Sequence, residues 1–308
     1  MKVVSVYNYK GGVGKTTLTA NLGAYAASIR KRVLLIDLDP QCNLTFSFIA
    51  PELWDREFAE RQTLFSFFNA IHEKRVIPDL SSLVYKCNIG HGRHLDLISS
   101  HLQLINVDVK LSAQLIGNDA VSLAVNKLEA VSYLREALSC IKDFYDLVLI
   151  DCPPNFYLIV KNALTASDFF LVPTKLDYFS TLGTDYVIKN VNTYVNKFNE
   201  NVRLLNNPKY KPIYVDLLGI VPMMVSVPRE DTLQKPLKYY YDWLRERHYM
   251  LFQWIRNNNA MFGTETVDKE GNKVPAVLAH MKPDVAKLKA RAELQELCND
   301  ILSRLQIM

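Results

Sequence analysis

The chain has 308 residues, 49% of them apolar, with 36 Lys and Arg against 32 Asp and Glu and a formal net charge of +4. Such a composition supports a sizeable buried core and excludes a disordered, collagen-like or disulfide-scaffold chain. No apolar run approaches the about 20 residues that span a bilayer, and no leader segment is expected where a strand opens the chain. Five scattered cysteines without a Cys-x-x-Cys pair suit a reducing cytoplasm.

In chain order, Lys2 to Tyr7 reads as a buried strand and Leu18 to Ile29 as an amphipathic helix, joined by Lys10-Gly11-Gly12-Val13-Gly14-Lys15-Thr16-Thr17. A glycine-rich loop between strand and helix is a phosphate cradle: backbone N–H groups turn inward around an anion and the helix N-terminus adds its partial positive charge. Lys15 is placed to neutralise the β- and γ-phosphates of a nucleotide, and Thr16 to ligate Mg²⁺. The ordinary pattern G-x-x-x-x-G-K-[ST] demands glycine at position 9, where this chain has Tyr9 followed by a second lysine, Lys10. Arg32 to Asp37 forms a second apolar strand, and Asp37 and Asp39 lie at its C-terminal end, where open α/β sheets bind ligands.

Residues 46 to 92 are aromatic-rich, with short helices expected from about Thr63 to His72. Cys87, His91, His94 and His101 match no zinc-site spacing, and the Leu95 to Ile98 strand interrupts them, so a solvated loop with incidental histidines is expected. Val121 to Ile141 is amphipathic and helical. Tyr145 to Asp151 is an apolar strand ending in an acid, which aims Asp151 at a nucleotide-bound magnesium; Cys152 beside it reads as a passive buried thiol. Phe169 to Val172 and Leu217 to Val221 are further strands, the second leading into Pro222 and Met223. A stripe of Leu237, Tyr241, Leu244, His248, Leu251 and Ile255 predicts one long helix after Pro236. A polar turn-forming loop follows over 262–274, then a last strand from Val274 to Met281. A final helix from near Pro283 has Leu294, Leu297, Cys298, Ile301, Leu302 and Leu305 on one face. That helix has four basic and four acidic residues, so packing onto the domain is expected over membrane binding.

Charge is concentrated between Lys197 and Arg256, where ten basic residues face six acidic ones, an excess equal to the whole-chain surplus. Arg203, Lys209, Lys211, Lys235, Lys238, Arg245 and Arg247 are therefore the candidate contacts for nucleic-acid phosphates. A length prior of about 150 residues per domain suggests two domains. Nucleotide motifs extend to Asp151 and strands beyond it, however, so a single elaborated α/β domain over 1–308 is expected, with 46–92 and 228–273 as elaborations.

Tyr-Lys-Gly-Gly-Val-Gly-Lys-Thr-Thr at 9–17 resembles the deviant P-loop of the ParA/MinD family of ATPases, and its ParA, Soj-like branch most closely. Asp37 to Thr45 resembles that family's switch I, usually written with glycine where Cys42 stands. Leu95 to Ser100 resembles its third strand, with Ser99 and Ser100 where a proline often follows. Asp151-Cys152-Pro153-Pro154, Asn162-Ala163-Leu164 and Phe169 to Pro173 resemble the switch II region and the strand beyond it. The resemblance covers about residues 1–50, 95–105 and 145–225.

The resemblance implies a P-loop NTPase fold with a mostly parallel central sheet flanked by helices. It implies ATP and Mg²⁺ as ligands, the P-loop residues 10–17 with Pro222 and Met223 around the nucleotide, and Thr16, Asp39 and Asp151 near the metal. By the same resemblance Lys10 reaches the partner's phosphates in an ATP-dependent homodimer, and Asp39 orients the attacking water. Nonspecific DNA binding, slow hydrolysis accelerated by a ParB-like or cargo-bound partner, and a cytoplasmic, nucleoid-associated protein that positions a plasmid, chromosome or other cargo are the implied function. A P-loop so close to residue 1 leaves no helix-turn-helix extension to expect. The alternatives are a MinD-like membrane role, disfavoured by the neutral last helix; an iron–sulfur carrier, disfavoured by unpaired cysteines; and an ATP-driven dimer recruiting a signalling or defence effector.

Overall fold

The computed structural model describes residues 1–74, 76–90, 92–226, 233–247, 250–258, 274–278 and 285–307. Seven strands form one sheet: β1 (Lys2–Val6), β2 (Val33–Asp37), β3 (Tyr85–Asn88), β4 (His94–Ile98), β5 (Leu147–Asp151), β6 (Phe169–Thr174) and β7 (Asp216–Pro222). Their order is β3-β4-β2-β5-β1-β6-β7, parallel throughout except for β3, which runs antiparallel to β4. The strands β2 (Val-Leu-Leu-Ile-Asp) and β5 (Leu-Val-Leu-Ile-Asp) are buried along their whole length, as parallel strands covered on both faces must be.

Successive side chains serve opposite layers. Leu34, Ile36, Val148 and Ile150 join one apolar core, which holds the facing residues of α4 (Leu64–Lys74), α6 (Ala120–Cys140), α7 (Leu158–Ala166) and α8 (Tyr178–Leu205). Val33, Leu35, Leu147 and Leu149 join the other, under α1 (Lys15–Ser28) and α10 (Val285–Arg304). Residues Leu294, Leu297, Cys298, Ile301, Leu302 and Leu305 of α10 are buried there, and Tyr25 Oη donates to Asn299 Oδ1 at 2.8 Å. The apolar face of α10 is thus already spent on the domain, as expected. The shorter helices are α2 (Asn43–Phe46), α3 (Pro51–Glu57), α5 (Val107–Ser112) and α9 (Lys235–Glu246). Asp119 and Ser122 cap α6 reciprocally, which fixes its start one residue before the apolar pattern begins.

Three expectations fail. Cys87 and His94 do not belong to a solvated loop: Cys87 is buried on β3 and His94 opens β4, paired in the sheet. The helix expected to run from Pro236 through Ile255 stops at Glu246. Beyond it the chain extends along β7: Phe252 N donates to Ile220 O at 2.9 Å and Ile255 N to Pro222 O at 2.8 Å. The cause is the outer edge of β7, whose unpaired N–H and C=O groups offer a ladder that a continued helix would leave unsatisfied. Leu251, Phe252 and Ile255 satisfy either conformation by spacing, and the sheet edge decides; His248 lies outside the described residues. Likewise Val274 to Leu278 ends in a turn rather than a strand, because Val277 N is taken by the Asn21 side chain of α1. Residues 279–281 and the loop expected over 262–273 lie outside the described residues.

Gly219 permits the close approach of this extended segment. A Cβ there would stand 2.4 Å from the Phe252 ring and 2.8 Å from the Met250 carbonyl oxygen. Backbone cannot yield as a side chain can, so Gly219→Ala is expected to destabilise by about 1–3 kcal/mol in urea unfolding. A change under about 0.5 kcal/mol would show that the 250–256 segment does not hold this edge.

Candidate nucleotide site

Sheet register assembles the site. Asp37 and Asp151 are Cα partners on neighbouring strands, and Asp151 in turn pairs with Val6, the last residue of β1. The loop 8–14 therefore leaves the sheet at the level of both carboxylates. Gly12 (φ 65°) and Gly14 (φ 90°) take the left-handed conformations the loop requires. Asn8 braces the loop: its Nδ2 donates to Pro173 O at 2.8 Å and its Oδ1 accepts from Lys10 N at 3.0 Å.

Lys15 is buried at the start of α1, its Nζ donating to the carbonyls of Asn8 (3.3 Å) and Lys10 (3.2 Å). Burial lowers its pKa, opposed by the Asp151 and Asp39 carboxylates. Thr16 Oγ1 donates to Asp151 Oδ2 at 2.6 Å, while Asp151 Oδ1 is buried without a hydrogen-bond partner. A threonine hydroxyl touching an aspartate with one orphaned oxygen fits a hydrated divalent cation, which would satisfy that oxygen. Burial pushes the Asp151 carboxyl well above the usual range, and the neighbouring Asp37 charge adds to it. Burial likewise pushes Asp37 up to about 7, against the bonds it accepts from Thr45 N, Thr45 Oγ1 and Asp39 N.

Asp39 opens the next turn, its Oδ1 accepting from Gln41 N at 3.0 Å. Its carbonyl accepts from the buried Ser100 Oγ at 2.6 Å, and Ser100 N donates to Thr45 Oγ1 at 2.9 Å. The segment after β2 is thus closed into a ring through Asp37, Thr45, Ser100 and Asp39. Cys42 holds a left-handed backbone within it, φ 57°, where glycine is the usual occupant. Met223 packs against the loop, 3.0 Å from where a Gly14 Cβ would stand. Pro222, just before it, accepts from Ile255 through its carbonyl.

The second lysine points elsewhere. Lys10 Nζ donates to Asp177 Oδ2 (2.9 Å), Asp177 Oδ1 (3.2 Å) and Ser180 Oγ (2.7 Å). Asp177 also caps α8 by accepting from Ser180 N. The Lys10 side chain is 40% exposed, so the pair lies at the lip of the site, outside the phosphate loop.

The AAA_31 family model, an AAA domain, matches residues 1–204. Sporulation initiation inhibitor protein Soj of Bacillus subtilis is 33% identical over 190 residues, 62% of this chain and 64% of that protein. Chromosome partitioning protein ParA of Myxococcus xanthus is 27% identical over 203 residues, 66% of this chain and 62% of that protein. The chain therefore spans somewhat less than two thirds of either relative. The chain belongs to the ParA/MinD family of P-loop ATPases. Its fold is similar to that of a Cyanothece McdA–ATP complex, with a TM-score of 0.66 at 20% identity over 100% of this chain and 97% of that one.

Among the family-specific expectations, Lys10, Lys15, Thr16, Asp39 and Asp151 converge at one end of the sheet, with Thr17 in the first turn of α1. The candidate DNA contacts are carried by two helices and the segments that follow them. Arg203, Lys209 and Lys211 gather at the C-terminal end of α8 and its following loop, where Lys209 pairs with Glu129 at 2.8 Å. Lys235, Lys238 and Arg245 are on α9; Arg247, just after it, pairs with Asp185 in the second turn of α8. The helical rise from Asp185 to Arg203 sets Arg247 about 27 Å along α8 from Arg203. Sequence pattern does not point to Asn8, Thr45, Ser100 or Asp177; only Asp177, three residues before Ser180, carries a signal, that of a helix cap.

Two buried carboxylates side by side are a liability until a cation arrives. Asp151→Asn keeps a group that can meet Thr16 and removes one charge, so the nucleotide-free variant is expected to melt about 2–4 °C higher than wild type. Scanning calorimetry with Mg·ATP should show the stabilising shift in wild type only. Because burial raises both folded pKa values above the unfolded ones, the associated stability is present at low pH and lost as pH rises, for Asp37 through about 7 and for Asp151 in the same direction. The gap between variant and wild type must therefore widen from about pH 5 to about pH 8; a constant gap would refute the assignment.

Proposed function

We propose that this ATPase is a ParA-type switch: two copies enclose ATP between their strand C-terminal ends, the dimer holds DNA without sequence preference, and hydrolysis releases it. The observation that carries this reading is the division of labour between the two lysines. Lys15 turns into its own phosphate loop, whereas the Lys10 side chain turns out of that loop onto a half-exposed ion pair, free to exchange Asp177 for phosphates of a second copy. Thr16 and Asp151 would hold Mg²⁺, which when bound neutralises charge on the β- and γ-phosphates. Asp39 positions the attacking water, held by the ring through Ser100 and Thr45. Lys10 and Lys15 stabilise charge on the transferred phosphoryl group.

Turnover is slow without a partner in this scheme, and a ParB-like or cargo-bound protein accelerates it, so that the cargo, a plasmid, chromosome or other body, follows a gradient of DNA-bound dimers. The protein is then cytoplasmic, and nucleoid-associated while ATP is bound. Among the described residues no helix is long and apolar enough to cross a membrane. A second reading, an ATP-driven dimer that recruits a protein effector instead of DNA, draws on the exposed Tyr157, Tyr178, Phe179 and Tyr186. These lie on the segments that follow Asp151 and Asp177, where a nucleotide-dependent docking face would form.

Retention on nonspecific duplex DNA across a salt series separates the two. Wild type is expected to bind with ATP and release with ADP; Lys10→Ala should reduce the ATP-dependent retention at least about tenfold, and Asp39→Ala should prolong it. An ATP dimer that ignores DNA sinks the partition reading and favours the effector.

A further inference from the structure

Four cations stand together at the opposite end of the sheet from the nucleotide, in a region where no sequence motif marks a site. Arg30 and Lys31 end the turn after α1, Lys86 is on the edge strand β3, and Arg93 immediately precedes β4. With Arg32 and Phe144 they line a cleft of about 360 Å³ at the N-terminal ends of β2 and β4. Arg32 is neutralised by Asp146 at 2.6 Å, whose charge Lys31 also feels, and Asp96, the carboxylate that lines the cleft across from Lys86 in the β3–β4 register, already accepts from Tyr145 Oη at 2.7 Å. Among the described residues Arg30, Lys31, Lys86 and Arg93 have no side-chain ion pair or hydrogen bond. The cleft is therefore a basic surface with Phe144, 66% exposed, beside it.

Backbone strain supplies an independent observation. Helix α1 ends in a Schellman motif: Lys31 N donates to Ala26 O at 3.1 Å and Arg30 N to Ala27 O at 3.0 Å. The residue between these bonds must be left-handed, and that residue is Arg30, with φ 68°. Glycine would occupy this position without strain, so an arginine here is carried against local preference and delivers a guanidinium to the cleft.

We propose that this cleft is a tract for the phosphate backbone of duplex DNA, additional to any contact made by α8 and α9. The proposal rests on the ATP-switch reading above in one respect, that DNA is the polyanion. Unpaired cations on separate elements, converging without a matching set of acids, suit a repeated phosphate ligand that is not read base by base. A cleft set about 13 Å along β2 from Asp37 stays clear of the proposed dimer seam, since both copies face each other through the other end of the sheet. The ATP dimer then carries two such tracts, and its tighter hold on long DNA follows from bivalency without any change in the tract itself.

Retention on long nonspecific duplex with ATP tests this, comparing wild type, an Arg30→Glu/Lys86→Glu/Arg93→Glu variant, Arg30→Gly and a Lys238→Glu/Arg245→Glu variant. The triple variant is expected to bind at least about tenfold more weakly with a visibly shallower log–log salt slope, while ATP-dependent dimerisation and basal hydrolysis stay at wild-type levels. For every phosphate that the variant no longer neutralises, the slope should flatten by about 0.9. Arg30→Gly relieves the backbone and removes the cation, so it should melt no lower than wild type yet bind more weakly, which a misfolded variant cannot mimic. Unchanged affinity and slope in both cleft variants overturn the tract, and if the α9 variant alone abolishes retention, DNA binding stands while the cleft falls. Wild type that ignores DNA in every nucleotide state, or that binds phosphatidylglycerol vesicles through the cleft instead, overturns both the tract and the DNA reading.

Discussion

Two carboxylates buried without a matching cation control this structure. Asp37 and Asp151 end adjacent parallel strands in register, and both are fully buried. Parallel strands paired in this register deliver their terminal side chains to the same level, so the sheet itself brings the two acids together. Lys15 is the nearest fixed positive charge, yet its Nζ is committed to two backbone carbonyls. The remaining deficit shows as an orphaned Asp151 oxygen and as raised carboxyl pKa values. Such an arrangement is costly in the free protein and relieved by a cation brought with a nucleotide, which makes ligand binding and the closing of the site one event.

The same carboxylates reach outward through hydrogen bonds rather than through movement of the sheet. Asp37 holds Thr45, Thr45 holds Ser100, and Ser100 holds the carbonyl of Asp39. On the other strand end, Asp108 on α5 accepts from Ile159 N in the first turn of α7 at 2.9 Å, tying the segment that follows Asp151 to a helix beyond β4. Tyr9, standing where an ordinary phosphate loop has glycine, packs on Tyr7 and Phe156 and accepts from Asn190 of α8. Loop, both acid-bearing segments and the long helix α8 are therefore cross-linked around the phosphate position. A group bound there has short routes to surfaces well away from it.

Legibility in the sequence follows burial. The strands Val33 to Asp37 and Leu147 to Asp151, the phosphate loop and the terminal helix are all readable, because each is a compact run whose pattern has one reading. The edge strand β3, Tyr-Lys-Cys-Asn, is not: half its side chains are polar and its pairing partner lies across a turn. The 28-residue helix α8 escapes sequence reading because it begins with hydroxyl residues and a glycine that suggest a loop, although Asp177 caps it firmly. The 250–256 segment misleads because its apolar spacing fits a helix equally well, and only the open edge of β7 chooses. Contacts between distant segments, Lys10 with Asp177 above all, leave no local trace.

Charge illustrates the same limit from the other side. Ten basic residues between 197 and 256 stand out as a block in the sequence, yet among the described ones folding distributes them over α8, α9 and the segments that follow each, and pairs Lys209, Arg247 and Arg256 with acids. Meanwhile cations separated by some sixty residues of chain, Arg30 and Lys31 with Lys86 and Arg93, meet because β2, β4 and β3 are consecutive in the sheet. Net charge per window measures what solvent would see of an unfolded chain. What a polyanion sees is set by strand order, and by which cations the fold leaves without partners.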